Sequence, residues 1–284
     1  MVLQVLCQRR RTGCRNRRNH LRAGSPGVKI HPTALVADSA VLADDVEVGP
    51  YSIIGDHVEI GAGSCIESHV VVNGPTRIGE NNHIYQFSSI GDDPQDKKYA
   101  GERTRLEIGE GNTIREYCTI SRGTVQDASL TSIGDDNWIM AYVHIAHDCR
   151  IGSHTIFANN ATLAGHVHVG DWVIFAGFSG AHQFCRIGAH SFIGMYAGTN
   201  RDVPAYTLVG GQPASPKGIN SEGLKRRDFT VDQIRNIKNA YRLVYRKKMK
   251  LADAIVEIES LAAEQPELRV FLDSLHTSER GLLR

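Results

Sequence analysis

The chain has 284 residues with a net charge of +1, 41% hydrophobic and 22% charged residues, enough for a sizeable core in a protein of ordinary charge. No apolar run approaches the roughly 20 residues that a membrane span needs. The near-neutral total hides unlike regions: residues 1–28 carry seven arginines and no acid, which leaves −6 for the remainder, and although such a head could be a nucleic-acid-binding arm, no nucleic-acid partner is expected. That head lacks a long apolar segment, so it reads as a basic, disordered extension rather than a signal peptide, and no function is assigned to it.

From Ile30 an aliphatic residue returns every sixth position, through Val36, Leu42, Val48, Ile54, Ile60, Ile66, Val72, Ile78 and Ile84 to Ile90. Ile108, Ile114 and Ile120 continue the pattern, and a last run goes from Ile133 to Ile193 with Phe157, Phe175 and Ala181 among its members. All 25 positions are apolar, and glycine often follows, as at Gly61, Gly134 and Gly170. A period of six fits neither a helix nor a simple two-faced strand; it fits a solenoid of short strands. The hexad resembles that of the hexapeptide-repeat proteins. The resemblance implies an all-β left-handed parallel β-helix over 29–200: a triangular prism in which three hexads make one coil. Glycine or a small polar residue is expected to ease each corner.

The phase slips twice. Ile90 and Ile108 are one coil length apart, yet Asp96 and Glu102 take the aliphatic positions between them, so DDPQDKKYAGERTR is expected to leave the prism. Ile133 follows Ile120 by one position more than two hexads, which makes GTVQDASL a smaller excursion. Loops that interrupt a rigid solenoid are usual places for binding groups. The six cysteines form no C-x-x-C pair, and reduced thiols in a cytoplasmic protein are the plainer reading.

After Ile193 the hexads stop, and 201–222 reads as turns and extended chain. A C-terminal α-helical domain is expected over 223–284. Thr230 and Gln233 make a capping box before the stripe Ile234, Ile237, Tyr241 and Val244. Leu251, Ile255 and Ile258 mark a second helix, and Pro266 opens a third with Leu268, Phe271 and Leu275. Between Lys225 and Lys250 ten basic residues face two acids. Such a patch is either a solvated helix face or a docking site for an acidic partner.

Folding the three-hexad period onto the histidines gathers a candidate site. In HIAHD, Ile145 points inward and His147 lies two places on, outside; one coil later comes Gly165 and two coils later Gln183. Beside that column run Asp148, His166 and Phe184, then Ala146, Ala164 and His182. Solvated surface histidines are one reading. Zinc is another, but no pair of histidines in the repeats has the five-residue spacing used by carbonic anhydrases of this fold. General-base catalysis is the third, since an imidazole titrates near neutrality and accepts a proton from a hydroxyl.

HIAHDC, LAGH, AHQFCRIGAHSFIG, DVPAY, NSEGLKRR and the QDKKYAGERT loop together resemble the acyl-carrier-protein-dependent UDP-N-acetylglucosamine O-acyltransferases of lipid A biosynthesis, over about residues 29–284. The resemblance implies transfer of a (3R)-3-hydroxyacyl group from acyl-carrier protein to the 3-hydroxyl of UDP-N-acetylglucosamine, with His147 as base, Asp148 orienting it and the Gly165 N–H stabilising an oxyanion. It implies sugar and phosphate contacts from His144, His166, His182 and Gln183, loop contacts from Asp96 and Lys98, and nucleotide contacts from Asn220, Glu222, Arg226 and Arg227. It implies no metal and no resident cofactor, since phosphopantetheine arrives on the carrier protein. It also implies a homotrimer with active sites between subunits. Ser121 stands where many relatives carry histidine, which leaves any ligand contact there open.

Met195 matches the end of a hydrocarbon ruler. Met195 stands eight hexads after His147, about 2.7 coils or roughly 13 Å at ~4.8 Å per coil, room for about ten carbons. Three alternatives stay open: a 3-amino sugar as acceptor, the N-acyltransferase relatives that carry a uridine-binding domain before their β-helix, and a solenoid without catalytic function.

Overall fold

A computed structural model of the chain describes residues 27–284, so the basic head lies outside the described residues except for its last two. The repeats build a left-handed parallel β-helix with three flat faces. Chain order visits face A, face B and face C in turn, beginning with Lys29–Ile30, Leu35–Val36 and Val41–Leu42. Among the described residues the faces hold eleven, nine and eight strands. Most are two residues long, because each hexad spends its other four on the corner. Among the hexads pairing is parallel and joins each one to the third after it, as in Ile30↔Val48 and Ile145↔Leu163, whereas the last two strands of face A pair antiparallel.

The hexad residues form the core. Of the 25, all from Val48 onward are buried; Ile30, Val36 and Leu42, on the first coil, are not. Their strands end the three sheets among the described residues, so they pack against a neighbouring coil on one side only.

Glycine plays a different part from the one expected. The corner residue with positive φ stands three places after the inward residue and is rarely glycine: Tyr142 (φ 64°), Asp148 (60°) and His154 (59°) are successive examples. The recurrent glycine directly after the inward residue is there for close approach. A Cβ on Gly61 would come within 2.6 Å of the Gly79 carbonyl carbon on the next coil.

The first slip is also larger than one coil length suggests. Ile78 pairs with Ile108 and Ile90 with Ile120, where an unbroken repeat would give positions 96 and 108. Chain equal to two hexads has therefore been inserted, and Ile108 is the hexad directly after Ile90. In the second slip Ile108 pairs with Ile133, where an unbroken repeat would give position 126, an insertion of seven. Both insertions leave at the corner between faces B and C.

Beyond the last coil, 207–210 and 215–219 extend face A, so the segment expected as turns and extended chain contributes two strands. Helix α1 (Ser221–Lys225) follows, then α2 (Val231–Tyr245), α3 (Leu251–Ala262) and α4 (Leu268–His276). The Thr230–Gln233 capping box forms at the start of α2. The helices share a second core around Leu224, Ile237, Ile258, Phe271 and Leu275. Asp202 ties the chain end to the prism: one carboxylate oxygen accepts from the Arg186 N–H, the other from Ser278, Glu279 and Arg280. Cys118, Cys149 and Cys185 are free and buried as expected, whereas Cys65 is disulfide-bonded. No helix among the described residues is long and apolar enough to cross a membrane.

Candidate active site

HIAHDC occupies a B/C corner. Ile145 ends a face-B strand and is fully buried, and Arg150 begins the next strand on face C. The four residues between must turn the chain from one face onto the next, and Asp148 does so in the left-handed region. His166 N donates to His147 O (3.0 Å) and Phe184 N to Gly165 O (3.1 Å), so the columns His147–Gly165–Gln183 and Asp148–His166–Phe184 stand as the period implies. Gly165 is required by the imidazole. A Cβ there would lie 2.6 Å from His147 Cε1.

His147 Nδ1 lies 2.8 Å from Asp148 Oδ2. An ionised carboxylate only accepts, so this contact assigns the proton to Nδ1 and leaves the Nε2 lone pair free to take one. Asp148 is fully buried and held from three sides: Thr124 N donates to Oδ1 (2.8 Å), the Thr124 hydroxyl to Oδ2 (2.6 Å), and Asp148 N donates to the Thr131 hydroxyl (2.8 Å). Burial alone raises its pKa, but the hydrogen bonds from His147 and Thr124 outweigh it and hold the carboxyl below its ordinary value. Among the described residues nothing accepts the Gly165 N–H, which leaves that donor open on the coil next to His147.

His166 packs edge-on against His147 (5.1 Å between centroids) and stacks on Phe184 (4.4 Å). Its Nδ1 faces Asp127 Oδ2 at 3.3 Å, and Asp127 is also paired with Arg150 (3.1 Å). His144, one strand residue before Ile145, bonds the Thr119 hydroxyl (2.7 Å), and burial together with His147 lowers its pKa. His182 and Gln183 project from the same corner two coils after His147 and are exposed.

The remaining expected residues do not gather there. Asp96 and Lys98 sit in the first insertion, on the B/C corner two coils before His147. Arg122 anchors that loop by donating to Gly91 O (2.6 Å), the Tyr99 hydroxyl (3.1 Å) and Asp93. Asp96 caps the Lys98 backbone N–H (3.0 Å). Asn220, Glu222, Arg226 and Arg227 belong to α1 and its ends, next to the C/A corner. Asn220 donates to His190 O (2.9 Å) and accepts from Gly223 N. Arg227 donates to Trp172 O (2.9 Å), with its guanidinium over the Trp172 ring, and burial beside Arg226 lowers its pKa to about 10. Glu222 pairs with Lys225 in solvent. Met195 is 62% exposed on the A/B corner. The separation expected between His147 and Met195 is therefore an axial rise only, because the two residues lie on opposite edges of face B.

Three chemistries can be weighed. His147, Asp148 and His166 offer ligand atoms within 4.8 Å of one another, a possible metal set. However, Asp148 Oδ2 already takes the Thr124 hydroxyl and His147, and the side chain has no solvent exposure. That geometry suits an oriented base better. Covalent catalysis by cysteine is disfavoured by burial, which pushes Cys118 and Cys149 to about 12 and Cys185 to about 11. Sequence reasoning missed Thr124, Asp127, Thr131 and Arg150. Its one pointer was the slip before Ile133, which brings Thr124 and Asp127 to this corner.

The six-repeat bacterial transferase hexapeptide family matches residues 39–74 and 130–165, and the second domain of UDP-N-acetylglucosamine O-acyltransferase matches 202–283. An acyl-[acyl-carrier-protein]–UDP-N-acetylglucosamine O-acyltransferase of Thiobacillus denitrificans is 56% identical over 255 residues, 90% of this chain and 99% of its own length. A protein of the same name from Xylella fastidiosa is 55% identical over 90% of this chain and 97% of its own. Among solved structures, the UDP-N-acetylglucosamine O-acyltransferase of Moraxella catarrhalis superposes with a TM-score of 0.89 at 48% identity, covering 90% of this chain and 99% of that one.

Proposed function

This chain belongs to the acyl-[acyl-carrier-protein]–UDP-N-acetylglucosamine O-acyltransferase family, and from that premise we propose that it transfers a (3R)-3-hydroxyacyl group from acyl-carrier protein to the 3-hydroxyl of UDP-N-acetylglucosamine, the first step of lipid A biosynthesis. The observation that carries this reading is the His147–Asp148 pair with the open Gly165 N–H on the adjoining coil. His147 Nε2 removes the proton from the sugar hydroxyl as its oxygen attacks the thioester carbonyl. Asp148 stabilises the imidazolium that forms, and the Gly165 N–H donates to the oxyanion. As the tetrahedral intermediate collapses, the C–S bond breaks and the imidazolium returns its proton to the phosphopantetheine thiolate. No acyl-enzyme forms, so no nucleophile is needed.

The same reading includes a homotrimer in the cytoplasm, with sites shared between subunits. The separation of the base, the nucleotide group and Met195 onto three corners supports it, because one prism cannot close a single cleft around all three. The exposed apolar residues Leu35, Val41 and Ile53 would gain cover in such an assembly. Arg242, Arg246, Lys247 and Lys248, exposed at the end of α2, are the proposed footing for the acidic carrier protein. The test is an assay of carrier-bound 3-hydroxyacyl donors of graded length with both the 3-hydroxyl and the 3-amino UDP-sugar. Ester formation on the 3-hydroxyl sugar is expected. Amide formation on the amino sugar alone replaces the acceptor, and no product with either sinks the reading.

A further inference from the structure

The second insertion is the one interruption of the prism whose side chains reach the catalytic pair. It leaves face B after Thr119–Ser121 and rejoins face C at Leu130. Its turn is closed on itself, Thr124 O accepting from Asp127 N (3.3 Å) and Ser129 N (3.1 Å), so its two functional side chains are fixed relative to one another. Thr124 is 1% exposed, and both of its donors are spent on Asp148. Asp127 reaches the other way, to His166 Nδ1 (3.3 Å) and Arg150 (3.1 Å). His166 in turn brings Nε2 to 3.8 Å from Asp148 Oδ2 and packs edge-on against His147.

We infer that this insertion is a brace for the acyl-transfer base, with Thr124 and Asp127 as positioning residues: Thr124 sets the plane and ionisation of the Asp148 carboxylate, and Asp127 sets the ring of His166 against which His147 rests. This rests on the acyl-transfer reading of the same site. The geometry is selective. A carboxylate has about four lone-pair positions, and the backbone and hydroxyl of Thr124 occupy one on each oxygen, which directs a remaining lone pair of Oδ2 to His147. Without the hydroxyl the buried carboxylate loses a donor that no solvent replaces, and it is free to rotate or to accept a proton. Either change releases the His147 tautomer. The hydrogen bonds that hold Asp148 below its ordinary pKa include both from Thr124, in keeping with this role.

Thr124→Val keeps the shape and the backbone N–H and removes only the hydroxyl. It is expected to lower kcat at least tenfold while KM for the UDP-sugar stays within about twofold, and Thr124→Ser is expected to restore most of the loss. Imidazole nitrogen NMR on the full-length protein supplies a readout that does not depend on turnover. Wild type should show His147 protonated at Nδ1, and Thr124→Val a mixture of tautomers. Asp127→Asn, in a half-exposed loop that leaves the core untouched, should shift the His166 signals and lower kcat about threefold. A drop in melting temperature with kcat and the His147 and His166 signals unchanged overturns the brace, whichever variant shows it. A wild type that acylates no sugar defeats the acyl-transfer reading instead, and the nitrogen spectra still decide the brace.

Discussion

Two corners of the prism share one backbone and differ in what stands on it. At the A/B corner the left-handed position holds Tyr51, His69, Phe87, Tyr117 and Tyr142, with φ between 57° and 64°, and their rings stack 4.9 to 5.2 Å apart. At the B/C corner the same position holds Asp148, His166 and Phe184, with φ between 60° and 67°. The stack serves the fold: each ring covers the next, and all remain partly in solvent. The B/C corner supports chemistry because two insertions open there and supply partners that a plain hexad lacks. Thr124 is the plainest case: its backbone N–H and hydroxyl reach the buried Asp148 carboxylate across 24 residues, an offset that the insertion creates. Function in this fold thus follows the interruptions more closely than the repeat.

The sharpest break in that comparison, short of removing the base, is Gly165→Ala. The added Cβ meets the His147 ring at 2.6 Å, so the imidazole must move by a large part of an ångström. A displacement of that size is expected to lower kcat about 10²-fold, with the β-helix and its melting temperature nearly unchanged. An alanine variant with more than half of wild-type kcat removes the close stacking of Gly165 and His147 from the account.

Met195 tests whether the A/B corner takes part in chemistry at all. If it ends the acyl groove, wild type prefers a donor of about ten carbons, twelve being tolerated because methionine is flexible. Met195→Gly should then move the preference toward about fourteen carbons. The change in relative kcat/KM should be about tenfold, below the ~3 kcal/mol that four fully buried methylenes contribute. Equal use of ten- and fourteen-carbon donors by wild type returns Met195 to the role of a surface residue.

Much of the architecture was legible in the residues. The inward positions from Val48 to Ile193 are apolar side chains at six-residue spacing within each of three runs, and burial is what such a pattern records. The corners were less legible. Glycine or a small polar residue was expected at each corner, and Asp and Asn do hold some of them, but His and the aromatics hold others because the sheets on either side over-determine the turn. The insertions showed as phase slips, but counting along the chain could not tell that Ile108 follows Ile90 by a single hexad. Only pairing across coils shows which residues are neighbours. Thr124 and Asp127 were missed for the same reason: their partners are 24 and 39 residues away, at a spacing that the insertion itself displaces from the period. Met195 lies eight hexads beyond His147, which is two full coils and two faces, and counting coils alone hid the sideways step.

Tyr117→Asn sharpens the contrast from the side of stability. Asparagine accepts the left-handed backbone, so the change removes the ring and its contacts with Phe87 and Tyr142 but not the turn. A loss of about 1 kcal/mol in unfolding free energy with unaltered kcat is expected. A fall in kcat comparable to that of Gly165→Ala would give the A/B stack a catalytic part it lacks here.

At the C/A corner the expected effect appears only below neutral pH. Burial, and then Arg227, lowers the His190 pKa from 6.5 to about 4. The fold therefore favours the neutral ring. Its contribution is present above about pH 6.5 and is lost progressively as pH falls toward 4, because the unfolded chain takes up the proton first. His190→Asn should flatten that part of the stability profile relative to wild type. An unchanged slope between pH 6.5 and 4 means that His190 is not the group responsible.

His147→Ala in the intact assembly, assayed with carrier-bound donor and UDP-N-acetylglucosamine alongside direct binding of the sugar nucleotide, tests the central claim most directly. The account predicts at least a 10²-fold loss of kcat with the oligomer and nucleotide binding retained. A variant that keeps more than about a tenth of wild-type kcat would contradict it, since proton removal would then belong to some other group.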